Sequence, residues 1–109
     1  MNTSELTNLA LNWAVAKCEG VVNGDALDTG FILEGGYTPS TDWAQGGPII
    51  EREGIAVQPE WVATLAYEND DDAKTQYSEA EGPTPLIAAM RCYVAARLGD
   101  TVDVPPELQ

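Results

Sequence analysis

The stretch TPLIAAMRCYVAARLG, residues 84–99, carries the clearest fold signal in the chain. Thr84 is able to cap free backbone N–H groups, and Pro85 suits the first helical position, where no N–H is needed. Gly99 supplies a stop after the last turn. Apolar residues recur between them at helical spacing, at Leu86, Ile87, Met90, Tyr93, Val94 and Leu98. This pattern predicts a buried C-terminal helix over residues 85–98.

A second helix is predicted near the other end of the chain, over residues 4–19. Thr3 or Ser4 is the expected cap, and Gly20 is the expected stop. We expect Trp13 to anchor the core. The positions that repeat at helical spacing are Leu6, Leu9, Ala10, Trp13, Ala14 and Lys17.

The middle of the chain predicts a small antiparallel sheet. Apolar and polar residues alternate over 55–58 and 60–67 on either side of Pro59, which indicates a hairpin with Ile55, Val57, Trp61, Ala63, Leu65 and Tyr67 facing inward. Residues 31–34 are a further short strand candidate, and Pro48 is expected to begin a short helix over 49–53 closed by Gly54. Together these elements predict an α+β fold, with about three strands packed by an N-terminal and a C-terminal helix and a short helix after the loop around Trp43.

The length of the chain predicts one domain. With 109 residues it has enough chain for a single core, so residues 1–109 are expected to fold together. Residues 68–81 carry six acidic side chains and one lysine, which favours a solvated acidic loop. Residues 100–109 contain two adjacent prolines and are expected to extend over the surface as a tail.

The charge balance is strongly acidic. Eighteen Asp and Glu residues against five Lys and Arg give a net charge of −13. Direct binding to nucleic acid or to an anionic membrane is therefore not expected, because both need clustered cations. We expect neither a signal peptide nor a membrane-spanning segment, and therefore a cytoplasmic protein. Cys18 and Cys92 are expected to be free thiols, with a disulfide between them as the alternative.

The sequence has few of the residues and motifs that are typical of catalytic sites. The chain has no histidine, so His-based triads, zinc sites and general bases are absent. Asp42, Glu51 and Glu53 are the carboxylates considered for acid–base chemistry. With 18 acidic residues in the chain, however, some carboxylates are expected to lie near one another by chance. The acidic run beginning at Asp70 has Thr75 where a calcium loop needs glycine. We therefore predict a protein that is not an enzyme and holds no metal or cofactor.

The polar loop over residues 37–48 is the candidate binding site. Aromatic rings with polar tips and uncharged hydroxyls suit recognition, and two glycines and a proline precede the predicted helix. The alternative interpretation is that Trp43 fills the core and the hydroxyls satisfy local backbone groups. The candidate ligand-binding residues are Tyr37, Ser40, Thr41, Asp42, Trp43, Gln45, Gly46, Gly47 and Arg52.

Three blocks of the sequence resemble a known family. They are LTNLALNWAVAKCEG (6–20), YTPSTDWAQGGPIIEREGI (37–55) and GPTPLIAAMRCYVAARLGDTVDV (82–104). They are similar to the NinX-like family of tailed phages, small proteins of unknown function. The intervening residues 21–36 and 68–81 depart from that pattern. The resemblance implies a phage accessory protein in the host cytoplasm, and its last block also resembles the closing helix of small phage α-β-α sandwich domains.

Two binding functions follow as hypotheses. The first is sequestration of a small host ligand, such as a nucleotide-type immune signal, through the loop over 37–48, in a counter-defence role. The alternative is an acidic nucleic-acid mimic that inhibits a host defence or DNA-binding enzyme. It rests on the net charge and on the acidic run over residues 68–81, and neutralising Asp70, Asp71 and Asp72 should abolish it. The expected partner is accordingly a small host ligand or a host defence protein, and the thin sheet allows a homo-oligomer.

Overall fold

A computed structural model of the chain describes residues 1–20, 30, 32–58, 61–68 and 75–108. In those ranges the chain forms three α-helices whose bounds are described, three strands and two short 3-10 turns, and residues 30, 32 and 33 are also helical. The helices are α1 (Asn8–Cys18), α2 (Trp43–Glu53) and α3 (Pro85–Leu98), the strands are β1 (Ala56–Gln58), β2 (Val62–Glu68) and β3 (Thr75–Glu81), and the turns are Thr3–Glu5 and Pro106–Leu108. The predicted α+β class is confirmed.

The sheet is antiparallel with strand order β1-β2-β3. Its register pairs Val57 with Ala63, and Leu65 with Ser78. Ala63, Leu65 and Ser78 are buried on the face that packs against α3, whereas Tyr77 and Glu79 lie on the opposite, exposed face. The predicted hairpin is confirmed, because β1 and β2 pair directly.

Helix α3 matches its sequence pattern from end to end. The Thr84 hydroxyl oxygen accepts a hydrogen bond from the Ile87 N–H at 3.1 Å, Pro85 is the first residue, and Gly99 follows the last turn. The nine residues from Leu86 to Val94 are all buried. This burial on all sides arises because α3 packs between the sheet and α1.

Helix α1 begins later than predicted. The turn Thr3–Glu5 precedes it, and neither Thr3 nor Ser4 caps it. The Thr3 hydroxyl instead donates to the Gly99 carbonyl at 2.6 Å, which fastens the N-terminal turn to the end of α3. Trp13 is 2% exposed, so its predicted place in the core is confirmed.

Helix α2 begins six residues earlier than predicted. The Asp42 carboxylate accepts a hydrogen bond from the Ala44 N–H at 3.0 Å and thereby starts the helix at Trp43. Pro48 consequently lies inside the helix rather than at its first position. Gly54, with a φ of 71°, ends the helix as predicted.

The acidic loop predicted over 68–81 is wrong for its second half, which is strand β3. Buried Ser78 alternates with exposed Tyr77 and Glu79, a two-residue period that the density of charge obscured. Asp70, Asp71 and Asp72 lie outside the described residues. The strand predicted over 31–34 is also wrong where it is described, because the Glu34 N–H donates to the Gly30 carbonyl in a helical turn, at 3.0 Å.

The C-terminal tail packs into the core instead of extending over the surface. Val102, Val104 and Leu108 are buried, and the last of these closes a 3-10 turn. The Val102 N–H donates to the Met1 carbonyl at 2.9 Å, and the Met1 amino group donates back to the Val102 carbonyl at 2.9 Å. The two ends of the chain therefore stabilise each other.

Trp61 is a further difference from the sequence pattern. It was expected to face inward with Ala63 and Leu65, but it is 46% exposed and has a φ of 55°. The positive φ places Trp61 in a turn before β2, so it does not continue the alternation of the strand.

No helix in the described part of the chain is long and apolar enough to cross a membrane. Cys18 and Cys92 are free thiols, as expected. Burial raises the pKa of Cys18 to about 12, so this thiol is protonated at neutral pH.

Candidate functional site

The loop before α2 is held by its own side chains. The side-chain oxygen of Gln45 accepts a hydrogen bond from the Thr38 N–H at 2.8 Å, and the side-chain nitrogen of Gln45 donates to the Asp42 carboxylate at 3.0 Å. The same nitrogen donates to the Thr38 hydroxyl at 3.2 Å. Asp42 and Gln45, both candidate ligand contacts, are therefore engaged in shaping the loop.

Ser40 fastens this loop to α1. It is 1% exposed, and its hydroxyl donates to the Asn12 side-chain oxygen at 2.6 Å. The same oxygen accepts from the Ser40 N–H at 3.1 Å. Ser40 is thus a buried structural residue, in line with the interpretation that hydroxyls of the loop satisfy local groups.

Trp43 is the prominent exposed residue of the loop. It is 55% exposed, so the interpretation in which it fills the core is wrong. Its ring lies beside a shallow depression of about 190 Å³ that is formed by the loop and the first turn of α3. The lining residues are Ser40, Thr41, Trp43, Thr84, Leu86 and Ile87.

The two glycines of the loop differ in what they permit. A Cβ on Gly46 would collide with the Pro39 carbonyl oxygen and lie 2.6 Å from Leu86 Cδ1, so only glycine fits between α2 and α3 here. A Cβ on Gly47 would meet only the Trp43 ring edge, at 3.9 Å. The role of Gly46 is therefore the close packing of α2 against the loop and α3.

Tyr37 and Arg52 do not line the depression. Tyr37 is half-buried, and burial, followed by the negative charge of Glu19, raises its pKa to about 12. Arg52 donates to the Glu19 carboxylate at 2.7 Å and to the Glu53 carboxylate at 2.8 Å. The structure thus brings Thr41 and Trp43 together and places Arg52 in a separate cluster.

This charged cluster was not predicted from the sequence. Arg97 donates to the Glu53 carboxylate at 2.9 Å, and the Tyr93 hydroxyl donates to Glu19 at 2.5 Å. The hydrogen bond from Arg52 holds the pKa of Glu19 below its ordinary value, despite partial burial. Basic residues in the last turns of α2 and α3 were the available signal. The pair of Arg52 and Glu53 is local, but Glu19 lies 33 residues from Arg52 and Glu53 lies 44 residues from Arg97.

The carboxylates considered for acid–base chemistry have separate places in the fold. Asp42 caps α2, Glu53 is paired with Arg52 and Arg97, and Glu51 is exposed. Within the described ranges, no three Asp, Glu, Cys or His side chains gather in a way that could hold a metal ion.

Arg91 lies in a different part of the fold from Arg52 and Arg97. It is buried, and its Nε donates to the Leu6 carbonyl at 2.8 Å, while Nη1 donates to the Glu81 carbonyl at 2.8 Å. Burial lowers its pKa. The described arginines therefore do not converge on the depression beside Trp43.

Comparison with known proteins places the chain in a phage setting. A family model described as bacteriophage P22, NinX, matches residues 2–97. This match covers α1, α2, the three strands, every candidate binding residue, and α3 except its last residue, Leu98. No curated protein matches the sequence.

Proposed function

Because the chain belongs to the NinX family of bacteriophage P22, we propose that it is a phage accessory protein that acts by binding in the host cytoplasm. The exposed ring of Trp43 beside its depression is the observation that carries this proposal. A large exposed aromatic side chain on a rigid element offers contact area at a low cost in conformational entropy. The cap by Asp42 and the packing of Gly46 supply that rigidity.

The ligand chemistry follows from the lining of the depression. A volume of about 190 Å³ accommodates one planar ring and is smaller than a pocket for a whole drug-sized ligand. Leu86 and Ile87 offer apolar contact to such a ring, and Thr41 offers a hydroxyl. We therefore propose a ligand that stacks one flat, uncharged ring, such as a nucleobase, on Trp43.

The polar part of the ligand has one favourable place. The depression includes the first turn of α3, where a helix carries a partial positive charge that favours phosphate. This supports the proposal of a nucleotide-type host signal, sequestered as a counter-defence measure. The net charge of −13 opposes highly charged ligands, so stacking rather than ion pairing is proposed to carry the affinity.

Isothermal titration against nucleosides, mononucleotides and cyclic dinucleotides tests this proposal. Trp43→Ala is expected to weaken binding about tenfold or more, because base–aromatic stacking contributes about 1–3 kcal/mol. Trp61→Ala is the matched control, since it removes an equally large exposed ring outside the depression. Equal affinity for both variants, or no binding of any compound in the panel, would refute a ring-stacking site at Trp43.

A second candidate function is inhibition of a nucleic-acid-binding host enzyme by phosphate mimicry. It is supported by the net charge and by the exposed carboxylates of Glu79 and Glu81. Capture of a host enzyme should then weaken steeply with salt and with neutralisation of Asp70, Asp71 and Asp72. Capture that survives both changes would rule out mimicry.

A further inference from the structure

We propose that the free edge of β3 binds an extended, basic segment of a partner protein as an added β-strand. β3 is an edge strand of the sheet, and in the described part of the chain no strand pairs with its outer side. An unpaired edge presents backbone donors and acceptors to another chain. This surface shares no lining residue with the depression beside Trp43, so the inference is independent of the proposed ligand site.

The register of the sheet shows which backbone groups are available. The Gly82 N–H donates to the Trp61 carbonyl at 3.3 Å, which continues the β2–β3 pairing by one residue. Since hydrogen-bonded and non-bonded pairs alternate in an antiparallel ladder, Ser78 and Ala80 bond to β2. Tyr77, Glu79 and Glu81 therefore direct their N–H and C=O groups outward.

Arg91 supports this register independently. Its Nη1 donates to the Glu81 carbonyl, which is one of the groups that the alternation directs outward. The Glu81 carbonyl is thus already satisfied, and an added strand would pair with the outward groups of Tyr77 and Glu79. Arg91 consequently marks the end of the available edge.

A groove beside this edge has room for the added strand. It has a volume of about 540 Å³, and an adjoining hollow of about 200 Å³ shares Ser4, Glu79, Ala80 and Arg91 with it. An added strand would lie about 4.8 Å from β3, on the side of the edge where Arg91 and Ser4 line this groove. Its inward side chain would meet Ala80 and Ser4, so a small residue fits there. The groove is lined by Ser4, Glu79, Ala80, Glu81, Gly82, Pro83 and Arg91.

The exposed face of β3 selects for basic side chains. Glu79 and Glu81 both lie on that face, two residues apart, and the ion pairs found among the described residues are at Glu19 and Glu53. Cross-strand neighbours of opposite charge stabilise a sheet, and like charges destabilise it. The partner segment therefore carries Lys or Arg at positions i and i+2 with a small residue between them. A second copy of this chain is disfavoured, because each copy has a net charge of −13.

The probe for this surface is the acetylated, amidated peptide TVKSKVT, with a fluorescent label for anisotropy. It places both lysines on one strand face, whereas the control peptide TVKKSVT has the same composition and charge but one lysine on each face. We expect TVKSKVT to bind about fivefold more tightly than the control. No binding at about 1 mM peptide, or equal binding of the two peptides, would overturn the proposal.

Protein variants distinguish strand pairing from general attraction to an acidic protein. The double variant Glu79→Gln, Glu81→Gln should weaken binding about fivefold. Glu34→Gln with Glu51→Gln makes the same charge change at exposed positions outside the groove and should have little effect. Equal losses in the two double variants would overturn the proposal.

Amide hydrogen exchange reads the backbone contacts directly. TVKSKVT should slow exchange at the N–H groups of Tyr77 and Glu79, and unchanged exchange there under saturating peptide would contradict strand addition. Trp43→Ala should leave peptide binding unchanged, so failure at one surface does not decide the other. A dimer of the protein that is abolished by Glu79→Pro would assign the edge to self-association and overturn the partner inference.

Discussion

Gly46 is the described glycine at which an added side chain would have the least space. It lies in α2 against the Pro39 carbonyl and the Leu86 side chain, and this contact sets the position of Trp43 relative to α3. The sequence made both glycines of the loop candidate ligand-binding residues. The structure assigns Gly46 to packing, which no spacing rule distinguishes, because both uses need a small residue.

Replacing Gly46 by Ala is expected to lower the free energy of unfolding by about 2 kcal/mol, because the added methyl group has no space. Gly47→Ala is the matched control in the same helix, where the methyl group meets only the Trp43 ring at 3.9 Å. That control should be neutral or stabilising, because alanine favours a helix over glycine. Urea unfolding monitored by circular dichroism compares them, and equal stability of the two variants would contradict the packing role.

Glu19 gives the protein an acid-sensitive contact. The hydrogen bond from Arg52 lowers the pKa of Glu19 from its ordinary value of 4.5, so folding favours the carboxylate. Stability from this group is present above pH 4.5 and is lost as the pH falls through the lower pKa of the folded state. The urea concentration at the midpoint of unfolding should therefore decrease as the pH is lowered from about 5 to about 3.

The variant Glu19→Gln isolates this contribution. It should be less stable than the parent at neutral pH, and the difference should shrink as the pH falls. Glu34→Gln, at an exposed position, makes the same charge change without the contact to Arg52. A constant difference between Glu19→Gln and the parent across that pH range would show that the ion pair does not stabilise the fold.

At the scale of elements, a helix or strand was predicted correctly where the residues that start and end it lie next to it in the sequence. Helix α3 was predicted to the residue because its cap, its first proline and its closing glycine are all local. Helix α2 was misplaced because Asp42 and Pro48 gave competing start signals, and the sequence alone does not rank them. Strand β3 was missed because acidic side chains are typical of both a solvated loop and the open face of a sheet.

Thr84→Ala tests the cap of α3. Loss of the hydrogen bond from the Ile87 N–H should cost about 1 kcal/mol of stability. Thr101→Ala serves as the control, because Thr101 is exposed and lies outside the helices. Thermal unfolding of the two variants compares them, and an unshifted midpoint for Thr84→Ala would mean that tertiary packing alone determines where α3 starts.

At the scale of the whole molecule, the arrangement of the candidate site was only partly predictable. The loop over 37–48 was found from its composition, but the exposure of Trp43 was not decidable, because tryptophan suits both a core and a binding surface. Arg52 was grouped with the loop by proximity in sequence, although its carboxylate partner Glu19 lies 33 residues away along the chain. Long-range pairs of this kind have no signature in a single sequence.

The central claim, that Trp43 holds a ligand, is tested most directly by native mass spectrometry of protein purified from bacterial cells. The parent and Trp61→Ala should each carry the same non-covalent mass, which denaturation releases, and Trp43→Ala should lack it. The presence of that mass on all three proteins, or its absence from the parent, would contradict the claim.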